Sequence, residues 1–390
     1  MSGWPTVRLE DCAEIVSGAT PSTSESAYWD GDVCWATPKD LSELEGAYIS
    51  DTPRKITRSG LQSCAATVLP PDSVLFSSRA PIGHVAINTV PMATNQGFKS
   101  FVPNRERVHA KFLYHWLRRN RPYLESLGNG ATFKEVSKAV VARIEIPLPP
   151  LPEQRRIAEI LDKADALRAK RRAALAELDT LTQSMFLEMF GDPATNPMGW
   201  PTRKVEDVAE IVSGATPRTD NESYWDGDVN WVTPKELSGL ESMYIGETER
   251  RITRQGLESC AASILPPGSV LFSSRAPIGH TAICAAPMAT NQGFKSFVPR
   301  PGALEPHFLL FWLRLRRSFL EGLGTGATFK EVSKAVVARI ELFVPPFDLQ
   351  SQFAQRVVAL ERVRSVQREG RGQLDALFTS VQHRAFRGEL

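Results

Sequence analysis

The chain has 390 residues, 42% hydrophobic and 23% charged, with a formal net charge of +2. Length and composition fit a soluble globular protein of two or three domains, and the near-neutral balance excludes a uniformly basic nucleic-acid binder, so any phosphate-binding surface has to be a local patch. No apolar run approaches the roughly 20 residues that span a bilayer, and the opening MSGWPTVRLEDC lacks the basic-then-apolar pattern of a secretory signal; a cytoplasmic chain without membrane contact is expected. The cysteines Cys12, Cys34, Cys64, Cys260 and Cys284 are odd in number and form no CxxC pair, which argues for free thiols and against a zinc site or a disulfide framework.

An internal repeat organises the rest. GWPT at Gly3 returns at Gly199, VLFSSRAPIGH at Val74 returns at Val270, MATNQGFKSFVP at Met92 returns at Met288, and GATFKEVSKAVVARIE at Gly130 returns at Gly326, always with an offset of 196. About two-thirds of the positions between 3 and 146 are identical in the second copy, so both copies share one fold. Within the repeat, 74–76, 85–87 and 99–102 are short apolar segments between Pro and Gly punctuation and are predicted strands. Phe112, Leu113, Trp116, Leu117, Leu124 and Leu127 recur at helical spacing, with a kink or split at Pro122. Thr132 and Glu135 have capping-box spacing and predict a short helix from Phe133, after which 143–146 alternates like an edge strand.

Beyond the proline-rich exit IPLPPLPEQ the composition turns to Glu, Arg, Ala and Leu. Steps of three and four from Ile157 reach Ile160, Ala164, Leu167, Arg171, Ala174, Leu178, Leu181 and Met185, a coiled-coil seam with one polar interruption. The same register in the second copy gives Leu360, Val363, Gln367, Leu374, Leu377 and Val381, with Gly370 and Gly372 expected to weaken that helix. Two such helices are satisfied by packing on each other, and antiparallel packing avoids crowding both domains at one end. The expected architecture is therefore α/β (α+β): two pseudo-two-fold-related mixed globular domains, 1–150 and 192–346, held apart by a pair of long antiparallel coiled-coil helices, 151–191 and 347–390.

Motifs for catalysis are not found. GxxxxGK[ST] is missing, and the GlyAsnGly of 128–130 with its partner GlyThrGly of 324–326 follows a helix where a dinucleotide fingerprint follows a strand. His84 and His280 repeat without an HExxH or a third partner and read as structural, and Asp30 and Asp32 lie in a turn. Repeated cations and hydroxyls beside turns remain, at 17–21, 35–39, 77–83, 95–99 and 132–135. Such donors bind base edges and phosphates, arginine bidentate to guanine, lysine and threonine mainly to the backbone. The candidate DNA-contacting residues are Thr20, Thr37, Lys39, Arg58, Arg79, Lys99 and Lys134, with Thr216, Thr233, Lys235, Arg254, Arg275, Lys295 and Lys330 in the second copy. Arg79 and Lys134 carry most weight, because each stands beside a tight turn or a helix start where donors converge on an anion. The same segments also shape turns; Asn95 and Gln96 suit either use, and Trp29 and Trp35 read as core.

The order SGATP, WxTPKxL, LFSSRAPIGxxAI, TNQGF, GxTFKEVSK and IPLPPLPEQRRIAEIL resembles the specificity subunits of type I restriction-modification systems, over essentially the whole chain. The ending AlaPheArgGlyGluLeu is similar too, and the one departure is PheAspLeuGln at 347–350 where 151–154 has LeuProGluGln. The resemblance implies two target-recognition domains with spacer helices that read a bipartite site on double-stranded DNA and dock two methyltransferase subunits, with nuclease subunits in a full enzyme. It also implies that this chain is non-catalytic and has no cofactor of its own, S-adenosylmethionine belonging to the methyltransferase partners. Near-identity of the two copies predicts near-identical half-sites in inverted orientation. Differences cluster at 22–27 against 218–223, at Cys34 and Ala36 against Asn230 and Val232, and at 104–111 against 300–307; any that lines the groove can make the half-sites differ. Two other readings stay open: a tandem DNA-binding protein acting alone, and a carbohydrate- or peptide-binding module built on the repeated tryptophans. The last predicts little salt dependence, whereas phosphate contacts give a slope near −0.9 each.

Overall fold

A computed structural model describes residues 4–44, 46–130, 134–326 and 330–390. It divides into two compact units, one comprising 1–172 with 369–390, the other 173–368. Each unit therefore holds one copy of the repeat, part of the first long helix, Leu151–Phe190, and part of the second, Phe347–Ala385.

In the first unit ten strands follow in order: β1 (Thr6–Arg8), β2 (Ala13–Ser17), β3 (Trp29–Ala36), β4 (Tyr48–Ile49), β5 (Lys55–Ile56), β6 (Val74–Phe76), β7 (Val85–Asn88), β8 (Met92–Thr94), β9 (Lys99–Pro103) and β10 (Glu145–Pro147). They form a five-stranded sheet β2-β9-β6-β7-β4, a three-stranded sheet β5-β3-β8 and the pair β1-β10. Two pairings, β4 with β7 and β3 with β8, are parallel. The second unit repeats the three sheets strand for strand. Alternation along β6 shows how the layers form: Val74 and Phe76 enter the core shared with the helices, while Leu75 enters the core with Ala36, Met92 and Phe98. The predicted strands at 74–76, 85–87 and 99–102 lie within β6, β7 and β9, and the helical pattern from 112 is split into Ala110–Arg119 and Arg121–Ser126, with Pro122 in the first turn of the second piece.

The short helix expected from Phe133 is not where the spacing put it. Thr132 and Phe133 lie outside the described residues, and the helix runs from Lys138 to Ala142, its N-terminus capped by Ser137, whose hydroxyl accepts from the Val140 N–H. Glu135 instead exchanges backbone hydrogen bonds with Asn129, which fixes it in extended backbone. A side chain three residues past a threonine meets the sequence criterion for a cap, but here two ion-pair partners from other segments hold it.

The two long helices are continuous, and within each unit their segments run antiparallel. In the first unit Arg156 reaches the Leu390 carbonyl, and Arg168 Nε donates to Asp375 at 2.6 Å. In the second, Phe186 packs on Phe353 with ring centroids 5.5 Å apart, and Arg364 bonds Asp179 at 2.7 Å. The seam departs from the sequence reading by one residue in alternate steps. Leu161 (0% exposed), Leu175 and Thr182 are buried, while Leu167 and Leu181, expected in the seam, are 53% and 51% exposed. In the second helix Arg364 and Phe378 likewise take the places expected of Val363 and Leu377. The seam thus steps four then three from Ile157, which puts Arg168 and Arg364 inward; hydropathy favoured the leucines, and the inward arginines are made tenable by carboxylates on their own helix, Asp165 and Glu361, and across the seam, Asp375 and Asp179. Gly370 does not break its helix: a Cβ there would lie 3.2 Å from the Arg171 guanidinium, so the glycine gives that side chain room. Among the described residues no helix is long and apolar enough to cross a membrane.

Leu161→Ala is expected to lower stability by about 2–5 kcal/mol in chemical denaturation. Leu167→Ala is expected to stay within about 0.5 kcal/mol of the parent. The reverse ranking would restore the register read from the sequence.

Candidate nucleic-acid interface

The loops singled out in the sequence converge on one turn, Asn95–Gly97, between β8 and β9. The Asn95 side-chain oxygen accepts the Gly97 N–H at 2.9 Å, and the Asn95 N–H donates to the Ala36 carbonyl, so this asparagine serves the turn. The Gly97 carbonyl accepts the N–H of Ser78 at 2.7 Å, the Ser78 hydroxyl at 3.1 Å and the N–H of Arg79 at 3.3 Å, which ties 77–83 to the turn. Thr20 donates its hydroxyl to Gln96, and the Ala19 N–H bonds the Thr94 carbonyl, which ties in 17–21. Pro38 lies against Gly97, bringing the start of the Pro38–Ser42 helix to the same place. Ala80 N–H donates to the Lys134 carbonyl and Val136 N–H to the Ser78 carbonyl, closing the ring with 134–136. Thr216 with Gln292, Ser274 and Arg275 with Gly293, and Val332 with Ser274 repeat the arrangement in the second unit.

The candidate residues take different places around this turn. Lys39 and Lys134 are exposed, as are Lys235 and Lys330. Among the described residues Lys39 makes an exposed 3.6 Å pair with Glu43, worth little in water. The Thr37 N–H and hydroxyl both donate to Asp40 at 2.7 and 2.9 Å, so Thr37, like Thr233 with Glu236, closes its helix start. Arg79 Nε bonds Glu135 at 2.8 Å, and Lys99, whose side chain is only 10% exposed, bonds the other oxygen of the same carboxylate at 3.2 Å. Arg275, Lys295 and Glu331 reproduce this triad at 2.9 and 3.1 Å. Burial would raise the Glu135 carboxyl, but the hydrogen bonds and charges of Arg79 and Lys99 outweigh it and hold the group below the usual carboxylate range.

Arg58 and Arg254 lie apart from the turn, each exposed at the first position of a short helix beside the three-stranded sheet. There the structure adds a residue that sequence reading passed over. The Arg54 guanidinium stacks 3.9 Å from the centroid of half-buried Trp29, and Arg250 does the same on Trp225. Their one sequence signal is that both arginines survive the offset of 196 inside a segment where, apart from Thr52 and Thr248, the other positions vary, DTPRK against ETERR. Trp35 is core, 2% exposed, and its indole N–H anchors the Ala19 carbonyl at 3.0 Å.

The three clusters of difference separate. Residues 22–27 lead into the 3₁₀ turn before Trp29, whose indole bonds the Ser22 carbonyl; in the second unit Arg218 pairs with Asp220 at that position. Ala36 and Val232 are fully buried. Cys34 faces Asp51, and its counterpart Asn230 donates to the Gly246 carbonyl. The third cluster begins past β9, whose five residues put Asn104 about 16 Å from Lys99. It meets the first long helix, where the His109 N–H donates to Gln154; in the second unit the Glu305 N–H donates to Gln350. The five cysteines are free, and burial pushes the Cys12 thiol up to about 11 and Cys284 to about 12, so neither is a nucleophile at neutral pH.

Two units that present the same ring of polar loops, each anchored on paired helix segments, make the chain a tandem repeat of one domain. The family described as type I restriction modification DNA specificity domain matches residues 1–177 and again 197–369, and the chain belongs to that family. It is 33% identical over 229 residues to the type I restriction enzyme MjaIX specificity subunit of Methanocaldococcus jannaschii, an alignment covering 54% of this chain and 53% of that protein. The chain thus spans about half the length of that relative. The MjaVIII specificity subunit of the same organism aligns at 21% identity over 99% of this chain and 93% of its own length. The solved S subunit of the type I restriction-modification system of M. genitalium shares the fold, with a TM-score of 0.60 at 14% identity over 99% of this chain and 96% of that one.

The ring depends on close backbone approach. A Cβ on Gly18 would sit 2.0 Å from the Asn95 carbonyl oxygen and 2.4 Å from that of Thr94, whereas one on Gly239 meets nothing within 4 Å. Gly18→Ala is expected to cost about 1–3 kcal/mol or more in thermal unfolding, and Gly239→Ala less than about 0.5 kcal/mol. Equal effects would mean that the loops are not held by this contact.

Proposed function

We propose that the chain is the DNA-recognition subunit of a type I restriction-modification complex, each unit reading one half of a bipartite target. The observation that carries this is the repetition of the ring of loops around Asn95–Gly97 and Asn291–Gly293, where Ser78, Arg79 and Val136 and their counterparts Ser274, Arg275 and Val332 make the same main-chain bonds, with exposed lysines at its rim. Such donors, set on a frame of main-chain bonds, suit recognition of base edges and phosphates. Two methyltransferase subunits dock on the chain, and nuclease subunits can complete the assembly. Methyl transfer and S-adenosylmethionine belong to those partners, and this chain is non-catalytic. Membership of the family and the repeated pair of specificity domains favour this reading over a solitary DNA-binding protein or a carbohydrate or peptide binder.

Because the rings are alike, the half-sites are near-identical and inverted. Methylome sequencing of cells that carry the chain with its methyltransferase is expected to return such a motif, and two unrelated half-sites would defeat the proposal. Of the three clusters of difference, only 22–27 against 218–223 lies on an exposed loop beside candidate cations, next to Trp29 and Trp225. Any base difference between the half-sites is assigned to it. Grafting residues 218–223 onto positions 22–27 is expected to make the two half-sites converge in the methylome, and a persisting difference would place discrimination elsewhere.

A further inference from the structure

The carboxylate beneath Arg79 has no counterpart in a simple cationic DNA surface. Glu135 lies among the candidate cations, 30% exposed, with Lys99 on its inner side and Arg79, 44% exposed, on its outer side. Backbone bonds fix its position: its N–H and carbonyl pair with Asn129 at 3.0 Å each, and the next residue, Val136, donates to the Ser78 carbonyl at 2.8 Å. Glu135 is therefore part of the ring, and its side chain is aimed at the arginine by the same frame that forms the Arg79 turn. Among the described contacts it engages the guanidinium through Nε, one of five donors, so the side chain is oriented without being withdrawn from solvent. The second unit repeats the triad, with Lys295 9%, Glu331 31% and Arg275 42% exposed. A negative charge kept twice at a surface for a polyanion needs a reason, since by charge alone it weakens phosphate binding.

We propose that Glu135 and Glu331 are positioning residues that hold Arg79 and Arg275 in the pose that reads DNA, while Lys99 and Lys295 neutralise the carboxylates from within and do not touch the nucleic acid. The inference rests on the DNA-recognition reading above. It has a sign opposite to plain electrostatics. Removing a negative charge raises affinity for every duplex alike; removing a positioner lowers the preference for the right sequence.

The test uses the full chain complexed with its methyltransferase subunits. The probes are a duplex bearing the motif found by methylome sequencing and a scrambled duplex of equal length, at fixed salt. Glu135→Gln is expected to reduce the ratio of the two affinities by about tenfold or more, with scrambled binding unchanged or stronger. In an Arg79→Ala background the same change is expected to leave the ratio unaltered, because the arginine it positions is gone. Glu331→Gln and Arg275→Ala are expected to behave likewise. Should Glu135→Gln fold poorly with Lys99 left unpaired, Lys99→Met/Glu135→Gln removes the buried charge and is expected to show the same loss of ratio. An intact ratio with both affinities raised overturns the inference while leaving the recognition reading in place. A parent complex that binds both duplexes alike overturns the recognition reading and the inference with it.

Discussion

The Gly97 carbonyl oxygen, with three donors from Ser78 and Arg79 converging on it, is the point from which the rest of each recognition domain is organised. A backbone oxygen that accepts from a neighbouring loop fixes that loop's path without using a side chain. The polar side chains of the loops can then be spent on a ligand. The turn itself is held by Asn95 and hangs from β8 and β9, which belong to different sheets, so its position is set by both layers of the core. A surface built this way keeps its donors in place before the ligand arrives, which limits the ordering cost of binding.

Each domain is also completed by chain segments remote in sequence. The core of the first unit takes Ile157 and Leu161 from one long helix, Phe378 and Ala385 from the other and Phe386 just past its end, and the Phe386 ring lies 5.4 Å from that of Phe112. The core of the second takes Phe186 and Phe190 with Phe353 and Val357. Between the helix segments the inward arginines are ion-paired in kind: Arg168 with Asp165 and Asp375, Arg364 with Glu361 and Asp179, which are the same pairs displaced by 196. Removing one partner would strand a buried charge, so these pairs fix the alignment of the segments more than they add stability. The second unit concentrates more charge there, and burial together with Arg364 drives the Arg314 guanidinium below its usual range.

Much of this was legible in the sequence because repetition amplifies signal. The offset of 196, the strands at 74–76 and 85–87 and the split at Pro122 follow from local pattern and needed no tertiary knowledge. The misread features all depend on a partner distant in sequence. The seam register turned on Asp375 and Asp179, which make inward arginines tenable, so a hydropathy rule that preferred Leu167 and Leu181 chose the wrong row. Glu135 looked like a cap and is a counter-ion, because Arg79 and Lys99 reach it from segments 56 and 36 residues away. Arg54 went unnoticed since its stacking on Trp29 joins the residue before β5 to the start of β3, a contact that no spacing rule reports. For the site, the loops were found and their convergence was not. Convergence is a property of the main-chain bonds at Asn95–Gly97, and these leave only glycines and turn residues as their trace.

Whether the ring of loops is the reading surface is decided most directly by hydrogen exchange of the assembled complex with and without its target duplex. Protection is expected in 17–21, 77–83 and 94–98, and to the same degree in 213–217, 273–279 and 290–294. Protection confined to one copy, or found only at the distant 104–111 and 300–307 segments, would contradict the account.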